Sequence, residues 1–238
     1  MSQDNNKATD RPLIHFDDVS KVYFNRSVAV KNIDLRIGSS EFVSLVGHSG
    51  AGKTTLLKLL LAEEKPSNGK VLFDDTHVHN LSSRGQTKHR RRIGMVFQDF
   101  RLLEHKTAFE NIAFAMEALG RSDDEIEADV PYVLDLVGLG DKNWHFPREL
   151  SGGEKQRLAI ARAVVNQPEV VIADEPTGNL DPVNTFEIVQ ILKKVNELGT
   201  TVLLSTHDKE VVDLLEHRVV TLEDGEVVKD QEASSYQL

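Results

Sequence analysis

The chain has 238 residues, enough for one large α/β domain or for one domain carrying an inserted subdomain. Its 28 Lys plus Arg against 38 Asp plus Glu give a net charge of −10, which argues against a broad nucleic-acid-binding surface, and 39% apolar residues exclude a wholly disordered chain. The lack of cysteine excludes a disulfide scaffold, a thiol nucleophile and Cys-ligated zinc or iron–sulfur sites, and no run of 18 apolar residues offers a membrane span.

Residues 1–11 are expected as a flexible lead, and MSQDNNKATD lacks the apolar run of a secretory signal. A cytoplasmic, soluble chain is therefore the default expectation. Leu13 to Phe16 reads as a strand. Asn32 to Ile37 reads as a half-buried one, because Ile33, Leu35 and Ile37 alternate with Asp34 and Arg36. Glu41 to Val46 is a more apolar strand ending at Gly47.

Gly47-His-Ser49-Gly50-Ala51-Gly52-Lys53-Thr54-Thr55 follows, fitting G-x-x-x-x-G-K-[ST] in full. A strand precedes it and an apolar helix from Thr54 to Ala62 is expected after it. The glycines let backbone N–H groups turn inward round phosphate oxygens, and the helix start adds unpaired donors. Lys53 is expected on the β and γ phosphates, and the Thr54 hydroxyl on Mg²⁺.

Strands are expected at Lys70 to Phe73 and Ile93 to Phe97, with Gln98 at the end of the second. Between them Arg84 to Arg92 carries five bases and no acid, usually a solvated face. No aromatic platform interleaves it, so nucleic acid is not an expected partner. A helical stretch comes next. Capping boxes are predicted at Thr107 with Glu110, Ser122 with Glu125, and Ser151 with Glu154. Pro131 either interrupts or kinks the second of these helices. Residues 121–135 carry six acids and one base, and are expected on a solvent-exposed side turned away from anionic lipid. The basic run at 84–92 is expected towards the membrane side.

Leu150-Ser151-Gly152-Gly153-Glu154-Lys-Gln156 is a second glycine-rich helix start that favours an anion. It stands apart from the phosphate loop in the chain, so a phosphate it touches would be held by a second copy of the protein. Val170 to Ala173 is a buried-type strand that ends in Asp174 and Glu175. At the carboxyl end of such a strand Asp174 is expected to hold Mg²⁺ and Glu175 to deprotonate an attacking water. Asp181 caps a helix that begins at Pro182 and stops at Gly199. Thr201 to Ser205 is a strand leading to His207, and Arg218 to Val228 reads as a hairpin about Asp224–Gly225. The order implies a mostly parallel sheet interrupted by a helical insertion at about residues 100–165.

Together, Gly47–Thr55, Gln98, Leu150–Gln156, Val170–Glu175, Asn179-Leu-Asp181 and His207 stand in the order and spacing of an ABC transporter ATP-binding subunit. The resemblance runs from about residue 13 to residue 229. It implies a P-loop NTPase fold with a RecA-like core sheet, an N-terminal antiparallel β subdomain and an inserted α-helical subdomain. It further implies a single domain over 12–229 and a flexible tail over 230–238. Lys53, Thr54, Gln98, Asp174, Glu175 and His207 would serve one ATP, with Thr54, Gln98 and Asp174 at the Mg²⁺. Tyr23 would stack on the adenine. Ser151, Gly152 and Gly153 of the second subunit would meet the γ-phosphate, and Asp181 would couple the two sites. The segment after Gln98 would dock on a membrane partner, with Phe100, Leu102, Leu103, Phe109 and Phe114 as apolar candidates.

Within the family, Val96 to Leu103 and Gly47 to Gly52 resemble the bacterial cell-division ATPases, whose partner is the membrane protein FtsX. That branch is expected at the inner face of the membrane, at the septum, meeting other division proteins only indirectly. ATPases for lipoprotein release, macrolide export or methionine uptake are similar and form the alternative.

Overall fold

The protein is described here by a computed structural model covering residues 11–232 except residues 25 and 216. Most of the lead expected over 1–11 and of the tail expected over 230–238 therefore lies outside the described residues.

The N-terminal third folds into an antiparallel sheet. β1 (Ile14–Val22) lies between β2 (Val28–Ile37) and β4 (Asn68–Phe73), and the short β5 (Thr76–His77) closes one edge. Ile33, Leu35 and Ile37 of β2 are buried and Asp34 and Arg36 exposed, so the period-two pattern puts one face on a core. That core also takes Leu56, Leu57, Leu59 and Leu60 of α1 (Lys53–Leu60).

The second sheet has the order β10-β9-β3-β8-β7-β6. β3 (Phe42–Val46), β6 (Ile93–Phe97), β7 (Val170–Asp174), β8 (Thr201–Thr206) and β9 (Arg218–Glu223) run parallel in it, and β10 (Glu226–Gln231) returns antiparallel to β9. Every residue of β3 and β8 is buried, as expected for strands covered on both faces. In register, Val46 meets Thr206, Asp174 meets Ser205, and Phe97 meets Asp174. The residues that follow these strand ends therefore emerge along one edge.

Between β6 and β7 the chain leaves the sheet for α3 (Ala108–Glu117), α4 (Asp123–Leu136) and α5 (Gly152–Val164). These helices bury their own cluster, including Ile112, Met116, Val130, Leu134 and Leu158. All three predicted capping boxes form. Pro131 sits inside α4 without ending it. α6 (Pro182–Glu197) and α7 (Lys209–Leu215) cover one face of the parallel sheet through Ile188, Val189, Leu192, Val211 and Leu215.

The structure differs from the sequence reading in three places. The basic run forms α2 (Ser83–Arg90), capped by Ser82, an element the sequence reading did not assign, and Arg84, Lys88, Arg90 and Arg91 are exposed, as expected of a solvated face. Three of its arginines also bond within the molecule: Arg90 donates to the Leu61 and Ala62 carbonyls, Arg91 to the Ala118 carbonyl, and Arg92 to Glu169. α7 has no counterpart in the sequence reading, because seven residues carry too short a periodicity to read. β10 extends to Gln231, past the boundary expected at 229, where Asp230 pairs with Arg218 at 2.7 Å.

Candidate functional site

The carboxyl edge of the parallel sheet opens on a cavity of about 370 Å³. Its lining gathers Ser49 to Thr55 of the glycine-rich loop with Gln98, Glu175 and His207, residues far apart in sequence. Ala29 joins them from β2.

The loop is shaped by its glycines. Gly52 caps α1 with φ 106°, and a Cβ there would stand 2.5 Å from the Ala29 carbonyl oxygen. Only glycine takes that conformation at that distance from backbone. α1 begins at Lys53 with no side-chain cap, so its first N–H groups stay open to the cavity.

Lys53 is buried, and its ammonium donates to the Gly47 carbonyl at 2.7 Å. It also lies 3.3 Å from Glu175 Oε1. The second carboxylate oxygen of Glu175 accepts from His207 Nδ1 at 2.8 Å. Glu175 thus stands between an ammonium and an imidazole. Its backbone is left-handed, with φ 51°, a conformation that costs a non-glycine residue about 1–3 kcal/mol and needs enforcement by its surroundings. A bond from the Glu175 N–H to the Ser205 carbonyl, 2.9 Å, supplies part of that enforcement.

Asp174 is fixed from two sides. Ser205 Oγ donates to its Oδ1 at 2.7 Å, and Thr54 Oγ1 to its Oδ2 at 3.3 Å. Among the described residues no cluster of three His, Asp or Glu could hold a metal by itself. The Thr54 hydroxyl and Asp174 carboxylate supply two hard oxygens, which suits a Mg²⁺ that takes its other ligands from phosphates and water.

Tyr23 lies just beyond β1, with its hydroxyl 3.4 Å from Thr55 Oγ1. Lys21 Nζ stands 5.1 Å over its ring. Ser151, Gly152, Gly153 and Asp181 do not line the cavity. They form a separate corner, where the starts of α5 and α6 meet. A Cβ on Gly152 would stand 3.6 Å from Leu180, and one on Gly153 would collide with Asn184. Asp181 accepts from the Val183 and Asn184 N–H groups, which hold its carboxyl below the usual range. Glu154 is lowered likewise by the Ser151 N–H. Sequence reasoning missed Ser205 and Ala29. For Ser205 a signal existed, a lone hydroxyl ending an apolar strand; for Ala29 there was none.

A second cavity of about 430 Å³ lies where the insertion meets the sheet edge at β6. Leu103 and Phe114 line it, together with Arg91, Met95, Arg162 and Asn166. Of the other apolar candidates for docking, Leu102 and Phe109 pack on the insertion core, and Phe109 stacks on Trp144.

A glycine-rich loop opening a helix, beside a Mg²⁺-type carboxylate and a poised glutamate, defines a P-loop α/β ATPase. The comparisons carry this further. The ABC transporter family profile matches residues 30–178. The chain is 48% identical to the cell division ATP-binding protein FtsE of Mycobacterium tuberculosis, over 94% of this chain and 98% of that one. It is 46% identical to FtsE of Bacillus subtilis (94% and 98% covered) and 45% identical to FtsE of Escherichia coli (90% and 96% covered). A part of the cbiONQ ABC transporter complex of Clostridium perfringens superposes with a TM-score of 0.87 at 32% identity, covering 93% of this chain and 89% of that one. A dimeric ATP-binding cassette, in a post-hydrolysis state with ADP and phosphate, gives 0.83 at 37% identity, covering 94% and 100%. The chain belongs to the ABC transporter ATP-binding family, and its chemistry is the hydrolysis of ATP.

Proposed function

We propose that this chain is the ATPase of a bacterial cell-division complex. It closes as a homodimer on ATP and reopens on hydrolysis, and so drives a conformational change in an integral membrane partner resembling FtsX. The output is control of septal peptidoglycan hydrolysis. The observation that carries the division role is 45–48% identity, over at least 90% of the chain, to cell division ATP-binding proteins from three distant bacteria.

The site supports the chemistry residue by residue. The loop from Gly47 to Thr55 and the open start of α1 bind the phosphates, and Lys53 neutralises the β and γ oxygens. Thr54, Asp174 and Gln98 would hold Mg²⁺, which would supply positive charge to offset the negative charge on the phosphate oxygens. Glu175 takes a proton from the attacking water. His207, on the Glu175 carboxylate, fixes its orientation and faces the γ-phosphate. Tyr23 stacks on adenine. Ser151, Gly152 and Gly153 lie outside the cavity, so they serve the ATP of a second copy, and Asp181 beside them links the two sites. Two-fold symmetry then makes two identical composite sites, and the dimeric relative with ADP and phosphate is consistent with that arrangement.

Among the described residues no helix is long and apolar enough to cross a membrane. The membrane is reached through the partner, at its cytoplasmic side, and the groove lined by Leu103 and Phe114 receives it. Purifying the tagged chain from detergent-solubilised membranes tests the reading. Recovery of an FtsX-like protein is expected; recovery only of a solute permease or a lipoprotein-release partner would overturn the division role while leaving the ATPase intact.

A further inference from the structure

Tyr23 lies in the turn between β1 and β2, where its N–H donates to the Ser27 carbonyl at 3.0 Å and its carbonyl accepts from the Arg26 N–H at 2.8 Å. These bonds set the backbone and leave the ring to its neighbours. The end of β1 beneath it is tied to the stretch that leaves α1. The Ser67 N–H donates to the Ser20 carbonyl at 2.8 Å, and Ser67 Oγ accepts from the Val22 N–H at 3.0 Å. That stretch is held to α1 in turn, because the Glu63 and Glu64 N–H groups both donate to the Lys58 carbonyl.

Lys21 links this stretch to the ring. Its ammonium lies 2.8 Å from Glu64 Oε2 and donates to the Lys65 carbonyl at 2.8 Å. An ammonium carries three donors. With two directed at these oxygens, its remaining side is left to Tyr23, whose ring centroid lies 5.1 Å from Nζ. The Lys21 side chain is 13% exposed, so the cation meets the π face largely out of water, where such a contact is strongest. Stability alone gives little reason for this arrangement, because an ion pair to a part-exposed glutamate contributes little. The Tyr23 hydroxyl meanwhile lies 3.4 Å from Thr55 Oγ1 at the start of α1. The ring is thus held from both ends of one helix, its hydroxyl at the start and its face at the stretch after the end.

We propose that Lys21 is a positioning residue for Tyr23, and through it decides how strongly the site prefers a nucleotide to bare phosphates. It occupies one face of the ring and leaves the other to the base. It also draws electron density towards itself, which suits the free face to an electron-rich purine. Because Glu64 and Lys65 follow α1 directly, the base platform and the phosphate loop are both placed by the same helix. Loss of the ammonium therefore loosens the base while the phosphates stay in register with Lys53 and Glu175. The inference rests on the placement of Tyr23 at the adenine proposed above.

Steady-state kinetics on the full chain test it. Lys21→Met keeps the apolar stem and removes the charge. Its KM for ATP is expected to rise about fivefold to tenfold, with kcat within about twofold of the parent, as when binding common to ground and transition states is lost. Inorganic tripolyphosphate carries the phosphates without a base, and its inhibition constant against ATP is expected to stay within about twofold of the parent's. Lys21→Arg, which keeps a cation able to lie on the ring and reach Glu64, is expected to restore the parental KM. Tyr23→Ala is expected to raise KM at least as much as Lys21→Met, and the double variant no further than Tyr23→Ala alone. A parental KM in Lys21→Met would overturn the proposal. So would a tripolyphosphate constant that rises with KM, since a loosened fold weakens both ligands alike, or a Lys21→Arg variant as weak as Lys21→Met. A Tyr23→Ala variant with parental KM would instead remove the adenine placement, and the proposal with it, while the phosphate loop and the Glu175-centred reading stand.

Discussion

Glu175 and Asp174 are neighbours in sequence and opposite in environment. Asp174 is tied by two hydroxyls, from Ser205 and Thr54. Glu175 faces Lys53 and His207 from a strained backbone. This division of labour predicts separable phenotypes. Glu175→Gln keeps the shape and removes the proposed base, so ATP turnover should fall by on the order of a hundredfold or more while nucleotide binding persists. A phosphate-release assay beside equilibrium nucleotide binding checks it; undiminished turnover would remove Glu175 as base. Ser205→Ala leaves the base alone but frees one side of Asp174. The Mg²⁺ concentration for half-maximal turnover should rise about tenfold, with saturated turnover nearly restored, as found when an outer-shell partner of a metal ligand is lost. A Mg²⁺ titration of the variant reads this directly. The phosphate loop was legible in the sequence because its spacing is specific, and Gln98, Glu175 and His207 because each follows a strand that ends on the same sheet edge, where they line one cavity. Ser205 carried only a hint, a hydroxyl ending an apolar strand; its partner comes from the register of β8 against β7, which juxtaposes it with Asp174.

At the level of elements, helix ends were more legible than helix interiors. Each capping box needs two residues three apart, and each one forms. Thr107 tests one that lies away from the nucleotide cavity. Its hydroxyl accepts the Glu110 N–H, and the Glu110 carboxylate accepts the Thr107 N–H at 2.7 Å. Thr107→Ala should cost about 1 kcal/mol of stability and leave the KM for ATP unchanged. Thermal unfolding with and without ATP separates the two quantities, and an altered KM would show that α3 is coupled to the cavity through residues 98–107. α2 shows what a charge run leaves open. Arg90, Arg91 and Arg92 read as one basic face, yet each turns to a different neighbour: the end of α1, the end of α3, and Glu169 before β7. Sequence gives the charges; only the packing of distant helix ends against α2 decides how they are used.

Across the whole molecule, the antiparallel sheet, α1 and α2 share one seam, and two histidines are built into it. His89 is buried, edge-on to Phe73 at 5.0 Å, with Nε2 2.7 Å from the Leu60 carbonyl. His79 Nε2 lies 2.8 Å from the Glu64 carbonyl. Burial lowers both from the ordinary histidine value, and the nearby Arg92 and Arg90 lower His89 further. Well above pH 6.5 both are neutral in the folded and unfolded chain, so they add no pH dependence there. As pH falls through 6.5 the unfolded chain takes up protons that the folded chain refuses, and stability declines until the lowered folded values are reached. Melting temperature should therefore drop between pH 7 and pH 5, before most carboxylates titrate. His89→Gln retains an amide that can donate to the Leu60 carbonyl and cannot be protonated in this range, so it should flatten that slope even if it lowers the melting temperature at pH 7.5. An unchanged slope in this variant would place the acid sensitivity elsewhere. The seam joins α1, which begins at Lys53, to the sheet that brings Ala29 to the cavity, so loosening it should also weaken ATP binding over the same pH interval.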